Sequence, residues 1–100
     1  MNTKNNIVSF YGKCIKALPG AKFYVKLNYI SNSRFSYLSN VNVIGKVCGK
    51  MMNRKIRLNV NDSVEIEFPY YEIMISGKQS SFTTKQLLVG RIVKRLPSNL

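Results

Sequence analysis

One hundred residues, 45% of them hydrophobic, suffice for one small domain with a modest core and exclude wholesale disorder. Lysine and arginine number 16 against four acids, a formal net charge of +12, and histidine is absent. Without histidine the chain lacks the commonest general base and metal ligand, so no Ser-His-Asp or Cys-His pair can form, and no apolar run of about 18 residues offers a membrane-spanning helix.

The first ten residues, MNTKNNIVSF, hold no signal-peptide apolar stretch and no Arg-rich presequence pattern. The chain is therefore expected to act in the compartment where it is made. IVSFYGKCIK (Ile7–Lys16) alternates loosely and reads as a strand. Gly12 in its middle predicts a bulge or sharp bend, as small barrels need. LPGA (Leu18–Ala21) is a turn with proline before glycine. In KFYVKLNYI (Lys22–Ile30), Phe23, Val25 and Leu27 share one strand face and Lys22, Tyr24 and Lys26 the other. Residues 31–42 are rich in serine and asparagine around Arg34, Phe35 and Tyr37, and read as a long hairpin extension or mobile loop. VNVIGKV (Val41–Val47) is a third strand.

GKMMNRKIRL (Gly49–Leu58) is both basic and apolar. Gly49 permits a sharp exit from the third strand. Lys50 to Lys55 form little more than one helical turn, with Lys50 and Arg54 on one face and Met51 and Lys55 on the next. If the chain is then extended, Ile56 and Leu58 point inward and Lys55 and Arg57 outward. At least one of Met51 and Met52 is expected to plug the barrel end. VNDSVEIEF (Val60–Phe68) has a turn, then Val64, Ile66 and Phe68 inward with Glu65 and Glu67 outward, until Pro69 ends it. A second long polar connection follows. LLVGRIVKRL (Leu87–Leu96) is the last strand, with Ile92 facing opposite to Arg91 and Val93. Five such strands predict an all-β fold, a closed or nearly closed barrel. Cys14 and Cys48 stand in unrelated settings and read as small buried or half-buried thiols.

The acids Asp62, Glu65, Glu67 and Glu72 all fall between residues 62 and 72. Residues 1–61 carry eleven cations and residues 73–100 five, without an acid. Such a chain repels itself unless a polyanion is near, and nucleic acid is the natural partner. A membrane surface usually calls for a long basic amphipathic helix, which is missing. Tyr24, Tyr11 and Tyr29 stand among Lys22, Lys26 and Lys13 and are candidate platforms for splayed bases. Arg34, Lys78 and Lys85 read as solvated loop charges. Tyr70 is expected to anchor the barrel closure and Tyr71 to be freer.

GKMMNRKIRL, followed by NDSVEIEFPYYE and GRIVKRL, resembles initiation factor one, the smallest bacterial-type translation initiation factor. That family reads Gly-Lys-Met-Arg-Lys-Asn-Tyr-Ile-Arg, then Gly-Asp-x-Val-x-Val-Glu, Pro-Tyr-Asp and Gly-Arg-Ile. Gly12, Leu18-Pro19 and Phe23-x-Val25-x-Leu27 fit as well. The resemblance implies a single five-stranded OB-fold barrel of the S1-like kind, with one short helix after the third strand. The long loops, about 28–42 and 73–87, depart from it. It implies a monomer that binds the decoding (A) site of the small ribosomal subunit through rRNA contacts. It would block early tRNA entry and assist initiation complex assembly with the other initiation factors. No enzyme activity, cofactor, metal or membrane partner is implied.

Lys50, Met51, Arg57 and Arg91 stand at positions matching the family's, and Arg95 corresponds to a basic residue of its last strand. Lys46 takes the place of a histidine and Cys48 that of a serine. Met52 replaces a basic residue, Lys55 a tyrosine or phenylalanine, and Asn61 a glycine. The candidate RNA-binding set is Lys46, Lys50, Met51, Arg54, Lys55, Arg57, Arg91, Arg95 and Tyr24; catalytic and metal-binding residues are none. Richness in Asn, Lys, Ile and Tyr suggests an AT-rich genome, as in plastids or reduced endosymbionts, and the resemblance to plastid-encoded factors makes the plastid stroma the expected location, with a bacterial cytoplasm as the alternative. Three other functions stay open: a general single-stranded RNA chaperone, a small ribosome-associated structural protein, and a small nuclease, against which the absent histidine and the four clustered acids count. The cold-shock motif Lys-Gly-Phe-Gly-Phe is missing, which counts against the first.

Overall fold

The computed structural model describes residues 6–73 and 88–97. Five strands, β1 (Ile7–Leu18), β2 (Lys22–Leu27), β3 (Asn42–Val47), β4 (Ser63–Pro69) and β5 (Val89–Arg95), close into a barrel in the order β1-β2-β3-β5-β4. Neighbours run antiparallel except β3 and β5, which are parallel. One short helix, α1 (Gly49–Asn53), follows β3, and the chain turns helical again at residues 70–73. The all-β barrel and its single helix after the third strand are as the sequence predicts.

Strict alternation builds the core. Phe23, Val25 and Leu27 of β2 and Val64, Ile66 and Phe68 of β4 are buried, together with Phe10, Cys14, Val43 and Ile92. The twelve-residue β1 serves both edges of the sheet. Gly12 pairs with Leu27 of β2 and with Val64 of β4. A Cβ there would lie 2.7 Å from the Lys26 carbonyl oxygen, so only glycine allows this approach. Of the bulge or sharp bend expected at Gly12, the bulge falls elsewhere: the register shifts between Cys14 and Lys16 and leaves Ile15 extra. Bend and bulge are separate devices here, because close approach needs a missing Cβ while the bulge needs only a spare residue. β1 accordingly runs two residues past the predicted Lys16.

The 28–42 connection is neither a hairpin extension nor a loose loop. It carries a 3-10 turn (Ser36–Leu38) and buries Leu38. Phe35 meets Phe10 edge-on at 5.6 Å and Tyr70 at 6.4 Å. The Tyr37 hydroxyl donates to the Ile73 carbonyl at 2.8 Å. Two apolar side chains inside a Ser/Asn-rich stretch are enough to fold it over the barrel end. β2 stops at Leu27, short of the predicted Ile30, whose N–H turns to the Ser39 hydroxyl at 2.7 Å. Of the predicted 73–87 connection, Ile73 is buried and residues 74–87, including Lys78 and Lys85, lie outside the described residues. Tyr70 packs in the closure as expected, and Tyr71 is exposed.

At α1 the expected role of Gly49 is corrected. The exit from β3 is made by Cys48, which caps the helix in extended backbone at φ −74 and ψ 158, because a helix start needs no left-handed residue. The left-handed residue comes after the helix, where Lys55 has φ 58. Its N–H donates to the Met52 carbonyl and that of Ile56 to the Met51 carbonyl, both at 3.0 Å. This is a Schellman ending, where glycine is preferred. Met51 is buried and Ile56 packs on the core, so Met51 is the predicted plug and Met52 is exposed. Asn61 sits at φ 81 in the turn before β4, a left-handed position that asparagine tolerates. The Asp62 carboxylate ties this turn by accepting from the Asn59 N–H at 2.8 Å.

Lys55→Gly is expected to raise stability by about 1 kcal/mol, because it relieves a β-carbon in left-handed backbone. Urea denaturation of the two chains, with unchanged slope, measures it.

Candidate nucleic-acid interface

The pairing of strands lines cations up in a row. Lys22 of β2 stands directly opposite Lys46 of β3, Lys46 opposite Arg91 of β5, and Arg91 opposite Glu67 of β4. Like charges directly opposite each other destabilise a sheet. Arg91 is partly relieved by donating from Nη2 to Glu67 Oε1 at 3.2 Å. The arginine side chain is 61% exposed, so the pair contributes at most about 1 kcal/mol. Tyr24, half-buried, lies next along the same outer face, opposite Ile44.

A second group forms beyond the row. Lys50, Arg54, Lys94 and Arg95 line a groove of about 280 Å³ between α1 and β5, with Met51, Ile56 and Val93 as its apolar residues. Among the described residues no acid lines it. Arg95 donates from Nη1 to the Arg57 carbonyl at 3.0 Å and so pins the segment after the helix to β5. Lys55 and Arg57 are exposed beside the groove.

The nine candidates therefore fall into three neighbouring groups. Lys46, Arg91 and Tyr24 lie on the sheet, Lys50, Met51, Arg54 and Arg95 at the groove, and Lys55 and Arg57 on the following segment. Sequence reasoning left out Lys94 and Lys22. Plain alternation from Arg91 turns Lys94 inward with Ile92. The register shift in β5 leaves Val93 extra and puts Lys94 opposite the outward Glu65. A lysine at an apparent core position of a strand was the available signal. Lys22 was visible as basic, but its place opposite Lys46 needs the register.

A larger cleft of about 310 Å³ lies beside the row, over Phe68, Pro69 and Val89. Its rim mixes Lys46 and Arg91 with Glu67 and Glu72, so its charge is nearly balanced. The smaller groove, all cationic, is the better match to a polyanion.

Among the described residues no group of three or more Cys, Asp or Glu side chains could hold a metal ion. Cys14 is fully buried, and burial, reinforced by the charge of Asp62, pushes its thiol up to about 11. Burial likewise raises the Tyr37 phenol, with Tyr70 adding to the effect. No helix of the described residues is long and apolar enough to cross a membrane.

A closed five-stranded barrel with a short helix after its third strand is an OB-fold, a class whose strand face and loops bind oligonucleotides and oligosaccharides. The chain is similar, over 94% of its length and 83% of the other's, to the solution structure of translation initiation factor one from the Wolbachia endosymbiont strain TRS of Brugia malayi. The two are 26% identical with a TM-score of 0.57. The resemblance to bacterial-type initiation factor one carried by the sequence motifs is thus shown by a solved structure, with its S1-like OB-fold. That similarity supports a role in translation initiation. No family model matches the chain, and no curated protein does.

Two expectations follow. Glu67→Gln releases Arg91 into the cationic row, so affinity for a short single-stranded RNA should rise about threefold and its salt dependence should steepen. Stability should change by less than about 0.5 kcal/mol, as for other exposed pairs. Second, the folded Cys14 thiol keeps its proton where the unfolded thiol, with an ordinary value of 9.0, has lost it. Rising pH therefore favours the unfolded chain, and this contribution to stability is full below pH 9 and lost on the way to about 11. Denaturation curves of the wild type and Cys14→Ala across that window isolate it, since the variant lacks this component.

Proposed function

We propose that the protein is a non-enzymatic translation initiation factor. In this reading it binds the decoding site of the small ribosomal subunit through rRNA phosphates and works there with the other initiation factors. The observation that carries the reading is the acid-free groove of Lys50, Arg54, Lys94 and Arg95 on a barrel similar to initiation factor one. Four cations converging on one concave surface can neutralise neighbouring phosphates of a folded RNA, releasing counterions. The apolar residues between them, Met51 with Ile56 and Val93, can meet a base edge or sugar without desolvating a charge. Lys55 and Arg57, exposed alongside, extend the positive surface.

Lys46 and Arg91 carry the charge onto the sheet, and Tyr24 stands there as a stacking platform. The proposed compartment is the plastid stroma, or a bacterial cytoplasm. Composition supports it, through the richness in Lys, Asn, Ile and Tyr.

Charge reversal at Lys50, Arg54 and Arg57 together should weaken binding to purified bacterial-type small subunits at least a hundredfold while leaving the circular dichroism spectrum unchanged. Sedimentation with labelled protein, at near-physiological salt and with excess unstructured RNA as competitor, reads the binding. Undiminished binding by the triple variant, or loss of wild-type binding to the competitor, sinks the reading.

A further inference from the structure

A second cation pair lies on the outer face of β1 and β2. Lys13 of β1 stands directly opposite Lys26 of β2, and both are exposed. Their outer neighbours in register are Ser63 of β4 and Asn42 of β3, so this row reads Ser-Lys-Lys-Asn with no acid. Directly opposed like charges destabilise the sheet unless an anion lies between them. The nearest outward acid along β4 is Glu65, which is opposite Tyr11 and also opposite Lys94. The Asp62 carboxylate accepts from the Asn59 N–H and forms no ion pair with either lysine among the described residues.

Two aromatic rings adjoin the pair. Tyr11 is two residues before Lys13 on the same outer side of β1, and is 52% exposed. The Asn28 N–H donates to the Tyr11 carbonyl at 2.9 Å, so Asn28 stands opposite Tyr11, and Tyr29, 76% exposed, is the next residue along the chain. Neither ring joins the aromatic pairs of the described residues, which involve Phe10, Phe35, Phe68 and Tyr70. Ordinary packing therefore does not account for them, and large exposed tyrosines beside unpaired lysines are the chemistry of base stacking combined with phosphate neutralisation.

We propose that Tyr11, Lys13, Lys26 and Tyr29 form a second nucleic-acid site, which takes two or three nucleotides of single-stranded RNA. Only β4 separates this patch from the groove, since Glu65 has Tyr11 on one side and Lys94 of the groove on the other. The phosphates lie between Lys13 and Lys26, and the bases stack on Tyr11 and Tyr29. The inference rests on the nucleic-acid reading above but not on the groove itself.

The test measures fluorescence anisotropy of a labelled ten-nucleotide oligouridylate with the full chain, at several salt concentrations. Lys13→Gln/Lys26→Gln should bind about tenfold more weakly, with the salt slope reduced by about 1.4 for two phosphates of a single strand. Tyr11→Ala/Tyr29→Ala should also bind about tenfold more weakly, but with the slope unchanged, because stacking releases no counterions. Lys26→Glu should lose binding while its melting temperature rises, since it gives Lys13 an opposite charge across the strands. That combination separates lost binding from lost fold. Lys50→Glu/Arg54→Glu should keep most of its oligouridylate affinity. Wild-type affinity in either double variant of the patch, or complete loss in Lys50→Glu/Arg54→Glu, overturns the second site. The groove is judged separately by small-subunit sedimentation, so either reading can fail alone.

Discussion

A five-stranded sheet closes only if one strand can pair along both edges, and in this chain β1 does so by curling at Gly12. That residue pairs on one side with Leu27 and on the other with Val64, and its missing Cβ is what lets the backbones approach. Closure then fixes everything outside the barrel. It puts β5 parallel to β3, which places Arg91 beside Lys46. It leaves the turn after β3 to cover the barrel end, where Met51 fills the opening and α1 lies along β5. At another part of the barrel's rim, the 28–42 connection covers the core with Phe35 and Leu38 and ties itself through Tyr37 to Ile73.

The same ladders that hold the strands also hold their charges at fixed spacings. Side chains on a flexible chain would spread apart, but Lys22, Lys46 and Arg91 cannot leave register without breaking backbone hydrogen bonds. Their repulsion is therefore built into the folded state and is relieved by anions from outside. The acids on the sheet do not change this, because Glu65 and Glu67 both belong to β4 and reach only its neighbours. The protein is positive on β2, β3 and β5, with a narrow acidic stripe along β4. Such an arrangement favours a partner that is a polyanion with several phosphates in a row, and it ties affinity to ionic strength.

Backbone strain and positive charge meet in the segment after α1. Lys55 occupies the left-handed position of a Schellman ending although glycine would fit better. The segment that follows is held by Arg95 through the Arg57 carbonyl, so that a cation supports a loop rich in cations. The register shift that frees Lys94 lies in the same stretch of β5. Bulge, left-handed turn and arginine bridge together turn a strand end and one helical turn into a concave, acid-free surface.

Much of this was legible in the sequence. The alternation of Phe23, Val25 and Leu27, and of Val64, Ile66 and Phe68, identified two strands and their inner faces, because period-two burial is a local property. Net charge, the confinement of acids to residues 62–72 and the absence of histidine narrowed the chemistry without any fold. Where the reading failed, a distant partner decided the outcome. The 28–42 stretch was composed like a free loop, yet Phe10, Tyr70 and Ile73, remote in sequence, gave its apolar side chains something to pack on. At Gly12 a bulge and a sharp bend both stayed open, because a lone glycine in a strand does not say which neighbour comes close. Lys94 was left out of the candidate set because a bulge in β5 depends on how β4 and β5 register. The sequence by itself determined the strands, the core residues and the sign of the surface, which depend on local period and composition. Only the tertiary structure decided which cations stand together, because that depends on strand order and register, and those are set by closing the barrel.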